Sequence, residues 1–510
     1  MSNRVSRREA LKTAAVAGAA TALWCAESAA EEGNELSVDP APLFELSPYL
    51  YMQFMEPLGT TDGSVEAAWD HARDRWRPDV VDVTRELAPP LLRWGGCFSS
   101  YYRWREGVGP RSERVPMHNI LWGGVETNQV GTAEFVDFCR QVGAEPLMSV
   151  NFESDGRKPW MEFKGSVRTA GPDEAAAWVD YCNNPENAQR RAHGHRAPQP
   201  IRIWQLGNET SYDRKGYDLD TAKRRTVAFA EAMRAVDPSI QLIGWGDRGW
   251  ARGMIEAAGE HLQYVAFHHM FNPDDKRQPV LQHTEYRKDP DRTWAQLMGA
   301  HEIHEAKIRG IREETAGTGM PLAMTECHFT IPGRNRCEVL SSWAAGVAYA
   351  RMLNVNQRHG DVLKIATAAD FCGTRWQVNA VMIPVPGGRA FMMPVARVMA
   401  LYRHHSGARA AKVSHCPDGL DVVASASPES RKVFLHVVNV NRSRAVDVRL
   451  AVAGGAAASG RVFQIAAPPE EEVGAHNPEL LAPREQPMPD PARWTFPAAS
   501  VSAVELTLDA

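Results

Sequence analysis

Short apolar runs alternate with amphipathic stretches through the first 400 residues. The runs fall at 49–54, 91–94, 145–151, 201–206, 240–245, 263–268, 321–325 and 362–369, eight in all. Between them, 131–142 places Phe135, Phe138 and Cys139 at helical spacing, and 220–236 and 341–357 show the same period. Strand-then-helix alternation means parallel strands joined by crossover helices. Eight such units predict a (β/α)8 TIM barrel over 49–406, since no G-x-G-x-x-G follows any run to support a dinucleotide fold.

From residue 407 the helical period disappears. Runs at 420–425, 432–440, 445–452, 461–466 and 500–508 alternate with Gly, Pro and Asn clusters, which predicts a C-terminal β-sandwich domain over 407–510. The Pro-rich stretch 467–494 reads as a long loop, and 31–48 as an N-terminal segment able to pair with the sandwich. Residues 1–30 read differently. Ser6-Arg7-Arg8 precedes a small apolar stretch ending at Cys25, with Ser28 and Ala30 at cleavage-site spacing, which predicts a twin-arginine signal peptide and a periplasmic or extracellular product. That stretch is too short for a spanning helix, which needs roughly 20 apolar residues, so no membrane contact is expected after signal removal.

Composition narrows the partners. With 44% hydrophobic and 23% charged residues and a net charge of -5, the chain is globular and lacks the basic density that phosphate binding requires, so nucleic acid is excluded. Eight cysteines without C-x-x-C spacing make a disulfide framework or zinc ribbon improbable. His301-Glu302-Ile303-His304, His193-Gly194-His195, His268-His269 and His404-His405 lack a partner at ligand spacing. No metal and no cofactor is expected, and the partner is a small neutral substrate; a homo-oligomer is compatible with the sequence.

In a barrel, chemistry sits at the carboxyl ends of the strands. The run at 201–206 leads into Gly207-Asn208-Glu209, and that at 321–325 into Glu326, so two carboxylates face one mouth. Such a pair suits retaining glycoside cleavage, with one acid protonating the leaving oxygen and one carboxylate attacking the anomeric carbon.

Gly207-Asn208-Glu209 resembles the acid/base signature of clan A glycoside hydrolases. Phe54-Met55-Glu56-Pro57-Leu58-Gly59, Leu92-Arg93-Trp94-Gly95-Gly96-Cys97-Phe98, Trp104-Arg105-Glu106-Gly107 and Glu126-Thr127-Asn128-Gln129 resemble glycoside hydrolase family 51, the α-L-arabinofuranosidases. The resemblance is strongest over 51–209. It implies Glu209 as acid/base, Glu326 as nucleophile, Asn208 on the sugar 2-OH, and Glu56 and Cys97 in the sugar pocket. Arg93 is expected in the strand-end charge network. Trp94 and Trp376 are candidates for stacking on a sugar face, or else for the core, and His268 for orienting a carboxylate or the sugar.

Three departures touch the pocket. The family proline before Gly95 is missing, Glu326 is followed by Cys327-His328-Phe329 rather than Trp-Asn, and His268-His269-Met270 lacks the tyrosine of H-x-Y. The resemblance therefore implies an exo-acting α-L-arabinofuranosidase on plant polysaccharides or oligosaccharides, with a β-xylosidase, β-glucosidase or endoglucanase as the alternative, and a non-catalytic carbohydrate-binding barrel as a third reading. The C-terminal domain is expected to be structural rather than sugar-binding.

Overall fold

The computed structural model describes residues 34–59, 61–153, 168–213, 218–247 and 249–509. The signal peptide expected over 1–30 lies outside the described residues. A parallel run of strands forms the frame: Gln53–Met55, Leu91–Trp94, Glu145–Val150, Ile203–Leu206, Gln241–Trp245, Tyr264–Phe271, Leu322–Phe329 and Leu363–Ala366, neighbours in that order. A helix follows each strand before the next, from Pro78–Leu87 to Pro394–His404. Proline at the first turn starts four of these, at Pro78, Pro172, Pro290 and Pro394, where its missing N–H costs nothing.

The sheet is curled. The expected single strand at 362–369 is broken after Ala366, where the Thr367 hydroxyl bonds the Ala369 carbonyl (3.1 Å) instead of leaving the backbone to a ladder. The chain resumes as Asp370–Gly373, and Asp370 pairs with Phe54 of Gln53–Met55. One segment, 363–373, thus touches both ends of the parallel run, and Met52 N–H donates to the Ala366 carbonyl (2.9 Å). A further hairpin, Asn379–Met382 with Phe391–Met392, extends the sheet.

Strand alternation sorts the side chains. Met52, Leu91, Leu147, Ile203, Ile243, Ala266, Ala323 and Ile365 form one apolar layer, with at most two side chains from any strand. Two residues further on, the same face of the second strand carries Arg93. The alternate residues Leu92, Trp94 and Trp204 join the larger core under the helices.

The C-terminal part forms a nine-stranded sheet in the order Arg484–Pro487, Ala457–Ala466, Ser500–Leu508, Lys432–Asn439, Leu420–Ala426, Arg409–His415, Glu35–Glu45, Val446–Val452, Arg493–Phe496. It curls around a core of its own that includes Leu36, Val38, Val433, Leu435, Val448, Val462, Phe496 and Leu506. Glu35–Glu45 runs antiparallel to Arg409–His415 and parallel to Val446–Val452, with register shifts around Pro40 and Pro42, which lack ladder donors. The stretch 467–494 is more than a loop. Its carbonyls of Pro469 and Glu471 accept the N–H groups of Ala344 (2.9 Å) and Trp343 (2.8 Å), capping the first turn of Trp343–Arg358, and it ends in two short strands.

Helix Trp343–Arg358 is buried on nearly every side because the C-terminal sheet and the helices Pro290–Glu314 and Pro394–His404 pack on it. Trp343 Nε1 donates to the Ala499 carbonyl (2.6 Å), Asn354 Nδ2 to Asp421 Oδ1 (3.0 Å), and Gln357 Nε2 to both Tyr51 and His436 (2.8 Å each). The seven described cysteines are free thiols, six of them buried. No helix among the described residues is long and apolar enough to cross a membrane.

Candidate active site

At the carboxyl ends of the strands lies a cavity of about 460 Å³ whose lining includes Phe54, Glu56, Cys97, Trp122, Glu209, His268, Glu326, Asp370 and Trp376. The chain reaches Glu209 through two left-handed residues. Gly207 has φ +77°, and a Cβ there would sit 2.7 Å from Phe152 Cβ; Glu209 itself has φ +52°. A non-glycine residue in that region carries strain that its surroundings must hold. Ser149 Oγ (3.0 Å) and Gln205 Nε2 (3.2 Å) both donate to the Gly207 carbonyl, and Tyr212 N–H donates to that of Glu209 (2.8 Å).

Glu326 is placed by a bulge. Strands Tyr264–Phe271 and Leu322–Phe329 pair Phe267 with Met324 and then His268 with Glu326, so Thr325 is the extra residue. A bulge re-aims the side chains beside it. His268 then spans the carboxylates: Nδ1 lies 3.0 Å from Glu209 Oε1 and 3.6 Å from Glu326 Oε2, while Nε2 lies 3.0 Å from Thr325 Oγ1. Suitable ligand atoms of Glu209, His268 and Glu326 all fall within 4.8 Å of one another. These three are the residues that could hold a metal ion, and the 3.0 Å contact between His268 and Glu209 has the length of a hydrogen bond.

Arg93, fully buried, anchors the other side. Its Nη1 donates to Glu326 Oε1 (2.8 Å), its Nε to Gln205 Oε1 (2.8 Å) and its Nη2 to Asn208 Oδ1 (2.7 Å). Gly95 and Gly96 leave room for this: a Cβ on Gly95 would lie 3.1 Å from Arg93 Cζ and one on Gly96 2.3 Å from Glu56 Cδ. Glu56 Oε1 accepts Phe98 N–H (3.1 Å) and Trp122 Nε1–H (3.0 Å). Burial, reinforced by the charge of Glu326, holds the Glu56 carboxyl well above the usual range. Cys97 Sγ points at Glu209 Oε2 (3.7 Å).

The structure thus brings Glu56, Cys97, Asn208, Glu209, His268, Glu326 and Arg93 together, and Trp376 lines the same cavity. Trp94 does not join them. Its side chain points to the helix-covered face of strand Leu91–Trp94, the ring 5.2 Å from that of Phe135 and 5.8 Å from that of Phe98, because its neighbour Arg93 takes the inward position.

Several cavity residues carried no periodic signal in the sequence. Trp122 and Arg336 sit on irregular loops, Lys307 on the helix Pro290–Glu314. Asp370 could have been found from the strand-end rule, had the break after Ala366 been visible. Burial pushes its carboxyl up to about 6, opposed by Arg336. Burial pushes the His328 imidazole down to about 4. Where the H-x-Y tyrosine was expected, Met270 lines the cavity; the nearby Tyr212 gives its hydroxyl to Asp247 Oδ2 (2.6 Å).

Residues 83–289 match the α-L-arabinofuranosidase 1 domain. The intracellular exo-α-(1→5)-L-arabinofuranosidase of Halalkalibacterium halodurans is 34% identical over 251 residues, 45% of this chain and 47% of that protein. The chain spans about half the length of the curated relatives it matches. Among solved structures, an arabinofuranosidase superimposes with a TM-score of 0.76 at 23% identity, covering 92% of this chain and 99% of the other. The α-L-arabinofuranosidase from Thermotoga maritima, in complex with arabinose, gives 0.72 at 23% identity over 93% and 100%. At that identity the likeness is one of fold. The domain match falls on the segment that carries Glu209, and the fold likeness extends over nearly the whole chain. Over 83–289 the chain is thus similar to the α-L-arabinofuranosidases, and over its described length it shares their fold.

Proposed function

We propose that this protein is an exported, retaining, exo-acting α-L-arabinofuranosidase that trims arabinose from plant-derived polysaccharides or oligosaccharides. The observation that carries the reading is the approach of Glu209 and Glu326 oxygens within 4.8 Å across His268 at the floor of a strand-end cavity. Retaining glycosidases hold their carboxyl groups roughly 5 to 5.5 Å apart, whereas inverting ones leave space for a water. The run of eight parallel strands, with 363–373 meeting both ends, supports reading the frame as a (β/α)8 barrel and the C-terminal sheet as a sandwich.

Glu326, held by Arg93, attacks the anomeric carbon while Glu209 protonates the leaving oxygen; Glu209 then draws the proton from a water that releases the sugar. In the first step His268 holds Glu209 toward the leaving group, and Asn208, fixed by Arg93, is set to meet the sugar 2-OH. Glu56, anchored by Phe98 N–H and Trp122 Nε1–H, is set to accept hydrogen bonds from ring hydroxyls.

The expected outcome is release of p-nitrophenol from its α-L-arabinofuranoside, with Glu209→Ala and Glu326→Ala each reducing turnover by several orders of magnitude, about 10³-fold or more. A mutant turning over normally would remove that residue from its role. A β-xylosidase or β-glucosidase reading is favoured by Met270 and His328 on the wall, and the matching p-nitrophenyl glycosides run alongside decide it. Sugar binding without turnover on any of them would leave a binding barrel.

Export is proposed from Ser6-Arg7-Arg8 and the apolar stretch after it, against relatives whose names call them intracellular. Replacing both arginines by lysine should trap the protein in the cytoplasm; unchanged export of that variant would overturn the signal.

A further inference from the structure

We propose that Asp62 is a positioning residue that sets the aromatic wall of the cavity and thereby how tightly the sugar is held. The inference rests on the glycosidase reading for its kinetic arm only.

Trp122 and Trp376 both line the cavity and meet edge to face, ring centroids 5.6 Å apart. Neither belongs to a strand, so the parallel frame does not place them. What places them is a third loop. Asp62, fully buried, turns Oδ1 to three successive backbone N–H groups, those of Thr374 (3.2 Å), Arg375 (2.7 Å) and Trp376 (3.0 Å). Its Oδ2 accepts Asn379 Nδ2 (2.7 Å), which also donates to the Trp376 carbonyl (2.7 Å). Consecutive N–H groups converging on one anion form a nest that needs no cation. The preceding residue reaches the other ring: the Thr61 hydroxyl donates to the Trp122 carbonyl and to that of Gly123 (3.3 Å). Trp122 Nε1 in turn fixes Glu56.

The fit is close. A Cβ on Gly373 would stand 1.9 Å from Asp62 Oδ2 and 2.3 Å from Asn379 Nδ2, so a bare glycine is what admits the carboxylate. No neutral side chain of this size replaces it, because an asparagine would turn its own NH₂ toward that of Asn379 at the 2.7 Å position. Meanwhile Glu326 is held by Arg93, which is itself fixed by Gln205 on the strand Ile203–Leu206 and by Asn208 just after it, away from Asp62. Disturbing Asp62 should therefore move the wall and spare the chemistry.

The experiment compares wild type, Asp62→Asn and Thr61→Val as full chains. With p-nitrophenyl α-L-arabinofuranoside, Asp62→Asn should raise KM about tenfold with kcat within about threefold, and Thr61→Val should do so more weakly. In parallel, amide hydrogen exchange at 374–376 should lose protection in Asp62→Asn while that of the strand Leu322–Phe329 is kept. A fall in kcat at constant KM, or amides at 374–376 still protected in the variant, would overturn the proposal. If wild type hydrolyses no glycoside, the exchange arm still decides the role of Asp62, and the failure then belongs to the activity. If Asp62→Asn does not fold, Thr61→Val carries the same test, and an unchanged KM there counts against the proposal.

Discussion

Arg93 shows how much a single side chain can fix. Its three donors meet Glu326, Gln205 and Asn208, so it orients a carboxylate, a strand and the loop of Glu209 at once. A lysine offers a point charge on a flexible stem and cannot serve three acceptors in that fork. We expect Arg93→Lys to cut kcat by about 100-fold or more, measured beside circular dichroism to show that the fold persists. Activity within threefold of wild type would mean that charge alone suffices. The position was legible in the sequence as part of the motif around Trp94-Gly95-Gly96, yet the motif made Trp94 look equally eligible. Strand alternation separates them. Knowing which of two neighbours faces inward requires the register, and a run of four apolar or aliphatic-stemmed residues does not reveal it.

Among the elements, the runs at 49–54 through 321–325 were legible because parallel strands buried on both faces read as continuous apolar segments. The bulge at Thr325 was not. It arises from the pairing of Tyr264–Phe271 with Leu322–Phe329, and nothing in either strand alone announces it. The break at 367–369 was hidden for a similar reason. Strand Glu35–Glu45 was legible only as a segment able to pair, since its two prolines lower its own propensity. Packing secures it instead: Leu36 and Val38 are buried in the C-terminal core. Leu36→Ala should cost about 2 to 5 kcal/mol of unfolding free energy, read by urea denaturation. A loss below about 0.5 kcal/mol would show that the strand is not anchored there. Helix Trp343–Arg358 read as amphipathic from 341–357, whereas neighbouring helices and the C-terminal sheet bury it on both sides, so its apolar content exceeds what one face needs.

At the scale of the whole molecule, buried titratable groups oppose one another with pH. Burial pushes the Glu126 carboxyl up to about 7, above its usual 4.5. Between those values the folded protein holds a proton that the unfolded chain releases, so this contribution is present at low pH and is lost as pH rises toward 7. Burial pushes His304 and His328 down to about 4 and His436 to about 3. For these the unfolded chain binds the proton below 6.5, so their contribution is present above that pH and is lost on acidification. Stability is therefore squeezed from both sides. Glu126→Gln keeps an acceptor for Asn119 Nδ2, now 2.9 Å from Glu126 Oε1, while removing the ionisation. The variant should gain on wild type between pH 5 and pH 8 by up to about 3 kcal/mol, seen as a flatter stability curve. Parallel curves would show that Glu126 does not ionise within that range.

The sequence by itself determined the alternation of strands and helices, the change of pattern at 407 and the two glutamates that end their runs, because these depend on local periodicity and on residue type. The tertiary structure alone decided that Arg93 rather than Trp94 faces inward to Glu326, that Thr325 bulges to turn Glu326 toward His268, and that a carboxylate on one loop holds a tryptophan on another. Each of those depends on contacts between residues distant in the chain. Register, sheet curvature and loop packing arise only when separate segments compete for the same space, and no single segment carries the outcome.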